Sequence, residues 1–219
     1  GGLVTGADLL VRELLEHGVK NIYTLCGNGL TPILVACQKA GLRVIDTRNE
    51  QAAGYMADAA GRLTRRVGVA AASAGVAHIN ALTGVCNAFF DGSPMLLITG
   101  ATDSATAGRG HFQDMDSVGI SRPLCKFAQW VDRPERIPLA VQESFSAALS
   151  GRPGPVHLTV PMDVLRGKIA EPPVSRVSRP AVSDWRAAPE GPAVKEAVRQ
   201  IKRAKKPMIL AGSGVFYAD

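Results

Sequence analysis

The stretch NIYTLCGNGLTPILVACQKAGLRVIDTRNE, residues 21–50, decides the fold. Asn21 to Leu25 reads as a strand, and the turn Cys26-Gly27-Asn28-Gly29 leads into a helix from Thr31 to Ala40. Arg43 to Asp46 is a second strand, which feeds directly into the helix of DTRNEQAAGYMADAAGRLT, residues 46–64. Strands and helices alternating over connections this short indicate an α/β domain with a parallel sheet.

The same alternation extends in both directions. Upstream, Thr5-Gly-Ala-Asp8 reads as a capping box for a first helix, with Leu9, Leu10, Leu14 and Leu15 as its apolar stripe and Gly18 as its end. Downstream come a strand at Val67 to Ser73, a helix from Ala77 to Phe90 and a strand at Met95 to Thr99. Leu124 to Val131 and Val156 to Val160 read as two further strands around a helix from Glu135 to Leu149. Ala101 to Asp116 is small, polar and without periodicity, and it follows a strand end, where an open α/β sheet places its active-site loop.

From Ile169 to Pro192 the composition shifts to Pro, Ser, Arg and Ala, which marks a linker, because proline removes amide donors and fixes an extended backbone. Ala193 to Lys205 follows as a basic amphipathic helix, and KPMILAGSGV reads as a strand and glycine turn. The expected organisation is a first domain over residues 1–168, a linker over 169–192, and over 193–219 the start of a second α/β domain that Asp219 cuts off.

Composition narrows the function classes. The chain of 219 residues is 46% hydrophobic but only 5% aromatic, so its core is made of Ala, Val, Leu and Ile. It has no apolar run long enough for a membrane span and no basic-then-apolar start, so the expected address is the cytoplasm. Cys26, Cys37, Cys86 and Cys125 lie far apart, without a C-x-x-C pair, and read as reduced, buried thiols. The net charge of +6 gathers between Arg166 and Lys206 with no interleaved aromatics, which reads as a solvated face rather than a nucleic-acid surface.

Candidate chemistry is sparse. Gly27-Asn28-Gly29 lacks the third glycine of a dinucleotide fingerprint, since Pro32 stands there. Asp103, Ser104 and His111 share a loop, but no nucleophile elbow accompanies them. His17 and His157 sit within regular elements and read as structural. Glu50 opens a helix of small residues: Ala52, Ala53, Ala57, Ala59, Ala60 and Gly61 leave room for a close approach. By position alone it is a first-turn carboxylate that complements the helix dipole.

Taken in order, the pieces form a pattern. The glycine turn, the Arg48-Asn49-Glu50 helix start, SAGVAHINALTGVCNA at 73–88, DGSPMLLITG at 91–100, HFQDMD at 111–116, RPLCKF at 122–127 and SGRPGPVHLTVPMDV at 150–164 are in register. Over residues 3–168 the chain resembles the pyrimidine-binding domain of thiamine diphosphate-dependent enzymes. It is nearest to acetolactate synthase, its synthase-like relatives and the 2-hydroxyacyl-CoA lyases.

The resemblance implies a flavodoxin-like, doubly wound, mainly parallel six-stranded sheet with helices on both faces. It implies that Glu50 hydrogen-bonds N1′ of the cofactor's aminopyrimidine, favouring the imino tautomer that takes the proton from the thiazolium C2. Such a bond is strong when a single carboxylate is held in an apolar pocket, and the small residues of its helix would let a flat ring reach the backbone. It assigns Gly27, Asn28, Gly75, Val76 and Asn80 to the cofactor, Gln113 to catalysis near the substrate, and His111 and Phe112 with Gln113 to the substrate pocket. Mg2+ and the diphosphate would be held by a separate C-terminal domain, so that this chain is the N-terminal part of a longer protein. Arg152 matches a flavin-contacting position of the synthases, which makes FAD a possible second cofactor. The partners implied are a small-molecule substrate and further copies of the chain, as a homodimer or homotetramer formed through this domain.

The chain also departs from the synthase pattern. Ser73-Ala74-Gly75-Val76 replaces S-G-P-G, Pro161-Met162-Asp163 replaces P-K-D, and Asn28 replaces a bulky residue; the last two count against acetolactate synthesis itself. Two other classes stand beside the enzyme reading. One is a non-catalytic binding or assembly module of the same fold. The other is a nucleotide sensor using Asp46, disfavoured by the absent glycine fingerprint.

Overall fold

The computed structural model describes residues 2–171 and 188–218. The chain divides into two compact units, residues 1–176 and 177–219. The first holds β1 (Leu3–Thr5), α1 (Gly6–Glu16), β2 (Asn21–Thr24), α2 (Thr31–Ala40), β3 (Arg43–Asp46) and α3 (Glu50–Thr64). After these come β4 (Gly68–Ala72), α4 (Val76–Asp91), β5 (Met95–Ala101), α5 (Ser117–Ser121), β6 (Phe127–Trp130), α6 (Ile137–Leu149), β7 (Pro155–Pro161), α7 (Met162–Arg166) and β8 (Lys168–Ala170). The second unit holds α8 (Gly191–Arg203) and α9 (Ser213–Tyr217).

Six strands form one sheet in the order β3-β2-β4-β5-β7-β6, and every pairing in it is parallel. The doubly wound, flavodoxin-like expectation holds. Period-2 alternation divides the strands between two cores. Val69, Ala71, Leu96, Ile98, Val156 and Leu158 face the layer holding α1, α2 and α6. Ala70, Ala72, Met95 and Leu97 face α3 and α4. Strand order reverses between β2 and β4, so the carboxyl ends of these two strands flank the crevice in which open α/β sheets bind ligands.

Local sequence explains most elements. Thr5 caps α1 as expected: its Oγ1 accepts from the Asp8 amide at 3.1 Å, and Asp8 Oδ2 accepts from the Thr5 amide at 3.0 Å. Leu9, Leu10 and Leu14 are fully buried, but Leu15 is 38% exposed, and Val11 fills the stripe instead. α2 and β3 have the expected bounds.

The small residues of α3 are used inside the molecule. A side chain on Gly54 would come within 2.8 Å of the Ala81 carbonyl, Gly61 lies against the Pro94 carbonyl, and Ala57 packs its own carbonyl on Gly68. α3 therefore presses onto β4 and α4 at backbone distance, and Ala53, Gly54, Ala57 and Gly61 are all buried there. The close approach these residues permit is made by neighbouring elements of the fold itself. Gly84 of α4 meets the Gly54 backbone and lies 2.7 Å, measured from an added Cβ, from the Tyr55 nitrogen. Gly84→Ala is expected to cost about 1–3 kcal/mol by overpacking. Urea unfolding followed by circular dichroism measures it, and an unchanged midpoint would show that the two helices can separate freely.

Three readings need correction. Ile169, the expected start of the linker, belongs to β8, which pairs antiparallel with β1, an element the sequence did not announce. Residues 172–187 of the expected linker lie outside the described residues. The strand expected in KPMILAGSGV does not form: Met208, Ile209 and Leu210 are more than 80% exposed, with α9 following. Among the described residues no other strand lies in that unit to satisfy the backbone of this one. Finally, of the four free thiols only Cys37 is buried, and Cys26 is exposed because it lies in the turn beyond the end of β2. Among the described residues no helix is long and apolar enough to cross a membrane.

Candidate active site

Four segments leave the carboxyl edge of the sheet side by side: the Gly27 turn after β2, Thr47–Asn49 after β3, Ser73–Gly75 after β4 and residues 102–116 after β5. Their mutual contacts build the site. At the switch point, a Cβ on Gly27 would stand 2.8 Å from Ser73 Cβ, and Ser73 Oγ donates to the Asn28 carbonyl at 2.5 Å. Gly29 takes a positive φ of 90° and lies against Gly100. Only glycine fits these approaches without strain.

Glu50 is placed by its turn. Thr47 is buried; its amide donates to the Thr24 carbonyl at 2.8 Å and its Oγ1 lies 3.1 Å from the same oxygen. This ties the end of β3 to the end of β2. Asn49 then caps α3, accepting from the Gln51 amide at 2.7 Å, which leaves Glu50 as the first helical residue. Glu50 is half-buried, and Asn80 Nδ2 donates to its Oε2 at 3.1 Å. The two residues are 30 positions apart, and α4 brings them together.

Gly75 begins α4 with φ 64° and ψ −127°. Its missing Cβ is what admits Gln113, whose Cβ and Cγ would be 2.9 Å away. Gln113 itself has φ 65°, a strained conformation for a side-chain-bearing residue, and its buried Oε1 has no hydrogen-bond partner. The loop thus reaches the first turn of α4, the same helix that carries Asn80. Asp163 anchors the loop from the other side, accepting from the Ser104 amide at 3.1 Å and from Ser104 Oγ at 3.2 Å.

The structure joins Glu50 to Asn80, Gly27 and Asn28 to Ser73, and Gln113 to Gly75. It does not join His111, Phe112 or Val76 to Glu50: Phe112 is 78% and Val76 73% exposed, and His111 is exposed too. Arg152 is engaged at the far end of α4. Its guanidinium donates to the Phe89 and Phe90 carbonyls at 3.2 and 2.7 Å, satisfying the last turn of that helix. Among the described residues no group of three or more His, Cys, Asp or Glu side chains is arranged to hold a metal ion.

Sequence reading missed Thr47 and Ser73, although both stand in the motifs that drew attention to the region. It also did not single out His78. His78 and His157 stack at 4.7 Å beneath α4, with His78 Nε2 2.8 Å from Ser121 Oγ and His157 Nε2 2.9 Å from Thr99 Oγ1. Burial pushes His78 down to about 4, and burial together with His78 holds His157 well below the usual histidine value. The two rings pack together in the interior, joining α4 to β7. The structural reading of His17 agrees with its stacking on Phe145 at 4.2 Å.

Residues 4–120 match the family described as thiamine pyrophosphate enzyme, N-terminal TPP binding domain. The chain belongs to the thiamine pyrophosphate enzymes. It is 38% identical over 239 aligned positions to 2-hydroxyacyl-CoA lyase 2 of Bos taurus and 37% identical to that of Homo sapiens, each match covering 95% of the chain. It is 34% identical to the acetolactate synthase isozyme 3 large subunit of Escherichia coli (strain K12), over 99% of the chain. In each case it spans 38% of the relative's length. The matched TPP-binding segment contains Glu50, Asn80, the glycine turn and Gln113, together with all four segments of the carboxyl edge.

Proposed function

We propose that this chain supplies the pyrimidine-side half of the active site of a thiamine diphosphate-dependent lyase or carboligase, acting on 2-hydroxyacyl thioesters or 2-oxo acids. One observation carries the reading: a half-buried carboxylate, Glu50, stands at the ligand edge of the sheet with one oxygen held by Asn80. A carboxylate that served only the helix dipole needs no such partner, so the pair favours an enzyme over a binding or assembly module.

The residues suit the pyrimidine end of the cofactor. Glu50 would accept a hydrogen bond from the ring nitrogen at N1′ through Oε1, and so govern where the aminopyrimidine carries its proton. Gly27, Asn28, Gly75 and Val76 would approach the ring through backbone, since the glycines offer no side-chain bulk. The orphaned Oε1 of Gln113 is an acceptor awaiting a donor, which supports a place for it against bound cofactor or substrate. His111 and Phe112 would join the pocket by closure of their exposed loop. When bound, thiamine diphosphate supplies a nucleophilic carbon and an electron sink for the carbanion, and the protein supplies orientation and electrostatics. The diphosphate and its Mg2+ would be held by sequence that the relatives contain and this chain does not span. For Arg152 we propose a structural role rather than a flavin contact, because its donors already serve Phe89 and Phe90.

The whole protein would be at least a homodimer. Tyr55, Met56 and Leu63 on α3, with Ile79 and Phe90 on α4, expose apolar surface on the two helices that frame Glu50, which supports burial there against another copy. The test is the full-length protein, supplied with thiamine diphosphate and Mg2+ and offered a 2-hydroxyacyl-CoA and, separately, pyruvate. Cleavage of the thioester or carboligation of pyruvate, by a species that light scattering sizes as a dimer or larger, is expected. Turnover of neither substrate, or full activity as a monomer, would overturn the proposal.

A further inference from the structure

α3 and α4 run parallel, and the contacts between them form a ladder with one rung per turn. Glu50 meets Asn80, Gly54 meets Gly84, Asp58 meets Asn87 and Arg62 meets Asp91. The positions advance by four, four and four along α3 and by four, three and four along α4, as helical periodicity requires of a continuous seam. The two lower polar rungs are linked through one amide. Asn87 Nδ2 donates to Asp58 Oδ2 at 2.6 Å and lies 3.4 Å from Asp91 Oδ2, which also pairs with Arg62. Asp58 is buried, and among the described residues its Oδ1 has no partner and Asn87 is the one donor to this carboxylate.

Burial of a carboxylate is costly unless it is hydrogen-bonded. The Asp58–Asn87 rung is therefore poor as a source of stability and strict as a register mark. A slide of α4 by one residue, ~1.5 Å, breaks it. Because Gly54 and Gly84 put the backbones in contact, a slide or rotation at the lower rungs is transmitted to the top one. The top rung is Glu50.

We propose that this seam sets the position of the Glu50 carboxylate: Asn80 is a positioning residue that holds Oε2, and Asp58 with Asn87 fixes the register of α4 that brings Asn80 there. This rests on the reading of Glu50 given above and moves Asn80 from a direct cofactor contact to a residue acting through Glu50.

A double-mutant cycle in the full-length protein tests it, reading hydrogen–deuterium exchange at C2 of bound thiamine diphosphate by NMR and, on the apo protein, the melting temperature. Asn80→Ala is expected to slow exchange ~10-fold, with cofactor affinity changed less than ~3-fold, and to have no further effect in a Glu50→Gln background. The apo melting temperatures of Asn80→Ala, Glu50→Ala and the double variant should be non-additive in the same way. Asn87→Ala, ~10 Å along the helix from Asn80, should slow exchange several-fold, and less when Asn80 is already replaced. Equal slowing by Asn80→Ala in both backgrounds would overturn the proposal. So would wild-type exchange in Asn80→Ala while Glu50→Gln is impaired, or an Asn87→Ala protein that melts earlier yet exchanges normally. Wild-type exchange in Glu50→Gln itself would instead sink the underlying role of Glu50, so the two failures are distinguishable.

Discussion

Glu50→Gln in the full-length protein is expected to slow C2 proton exchange and turnover by ~10²-fold or more, the scale seen when a positioned acid–base partner is removed. The amide keeps the shape of the side chain and can still accept from Asn80 Nδ2, so the fold and much of the cofactor affinity should survive. What would be lost is the carboxylate proposed to accept from the pyrimidine nitrogen, since a hydrogen bond to a charged group is roughly twice as strong as one to a neutral group. Glu50→Ala should bind the cofactor more weakly as well, because it removes the acceptor and leaves the Asn80 amide without its partner. Calorimetric titration separates the two variants. In the same titration the 219-residue chain alone should bind poorly, because it would contribute only the pyrimidine-side contacts. An exchange rate in the Gln variant equal to that of the wild type would return Glu50 to its plain role at the N-terminus of α3, where a carboxylate contributes a few tenths to ~1 kcal/mol through the helix dipole.

Acidification is expected to loosen the packing of α4 on β7. His78 and His157 are bases whose folded values lie below their unfolded ones, so the unfolded chain binds more protons and stability rises with pH. The contribution is complete above the unfolded value of about 6.5 and is lost as pH falls toward the folded value of His78, about 4. At ~1.4 kcal/mol per unit, His78 alone accounts for about 3 kcal/mol over that window, and His157 adds to it in the same direction. The stacked arrangement sharpens the effect, since two imidazolium rings 4.7 Å apart would repel, with hydroxyls of Ser121, Thr99 and Thr159 as their polar partners among the described residues. Urea unfolding at steps between pH 7 and pH 4, compared with His78→Gln, removes the common titration of the carboxylates. The wild type should lose about 3 kcal/mol more than the variant across the window. Parallel curves would mean that the rings accept protons without cost, which is incompatible with a buried stack.

These effects fall on residues of very different legibility. Residues 21–50 yielded β2, α2, β3 and the start of α3 because each boundary is marked within a few residues: a glycine turn, a change of hydrophobic period, the Arg48-Asn49-Glu50 helix start. The Thr5–Asp8 capping box was legible for the same reason, being a contact over three residues. Glu50 was recognisable as the first helical carboxylate and, through the accompanying motifs, as a candidate for chemistry.

Its partner was not. The Glu50–Asn80 bond spans 30 residues, the Arg152 contacts more than 60 and the His78–His157 stack 79, and no local pattern announces which of many polar residues will meet across such intervals. The small residues of α3 suggested close approach, but only the packed structure shows that β4, α4 and Pro94 make it. β1 and β8, three residues each, pair over more than 160 positions, too short to carry a period and too distant to be inferred. In the second unit the apolar run at 208–210 has the composition of a strand, yet a strand exists only where a neighbour satisfies its backbone. Sequence determined most elements of the first unit, their order and the carboxylate at the start of α3, because these follow from local sterics and periodicity. Tertiary structure alone decided which side chains share that edge, because such contacts depend on how the parallel sheet sets α3 beside α4.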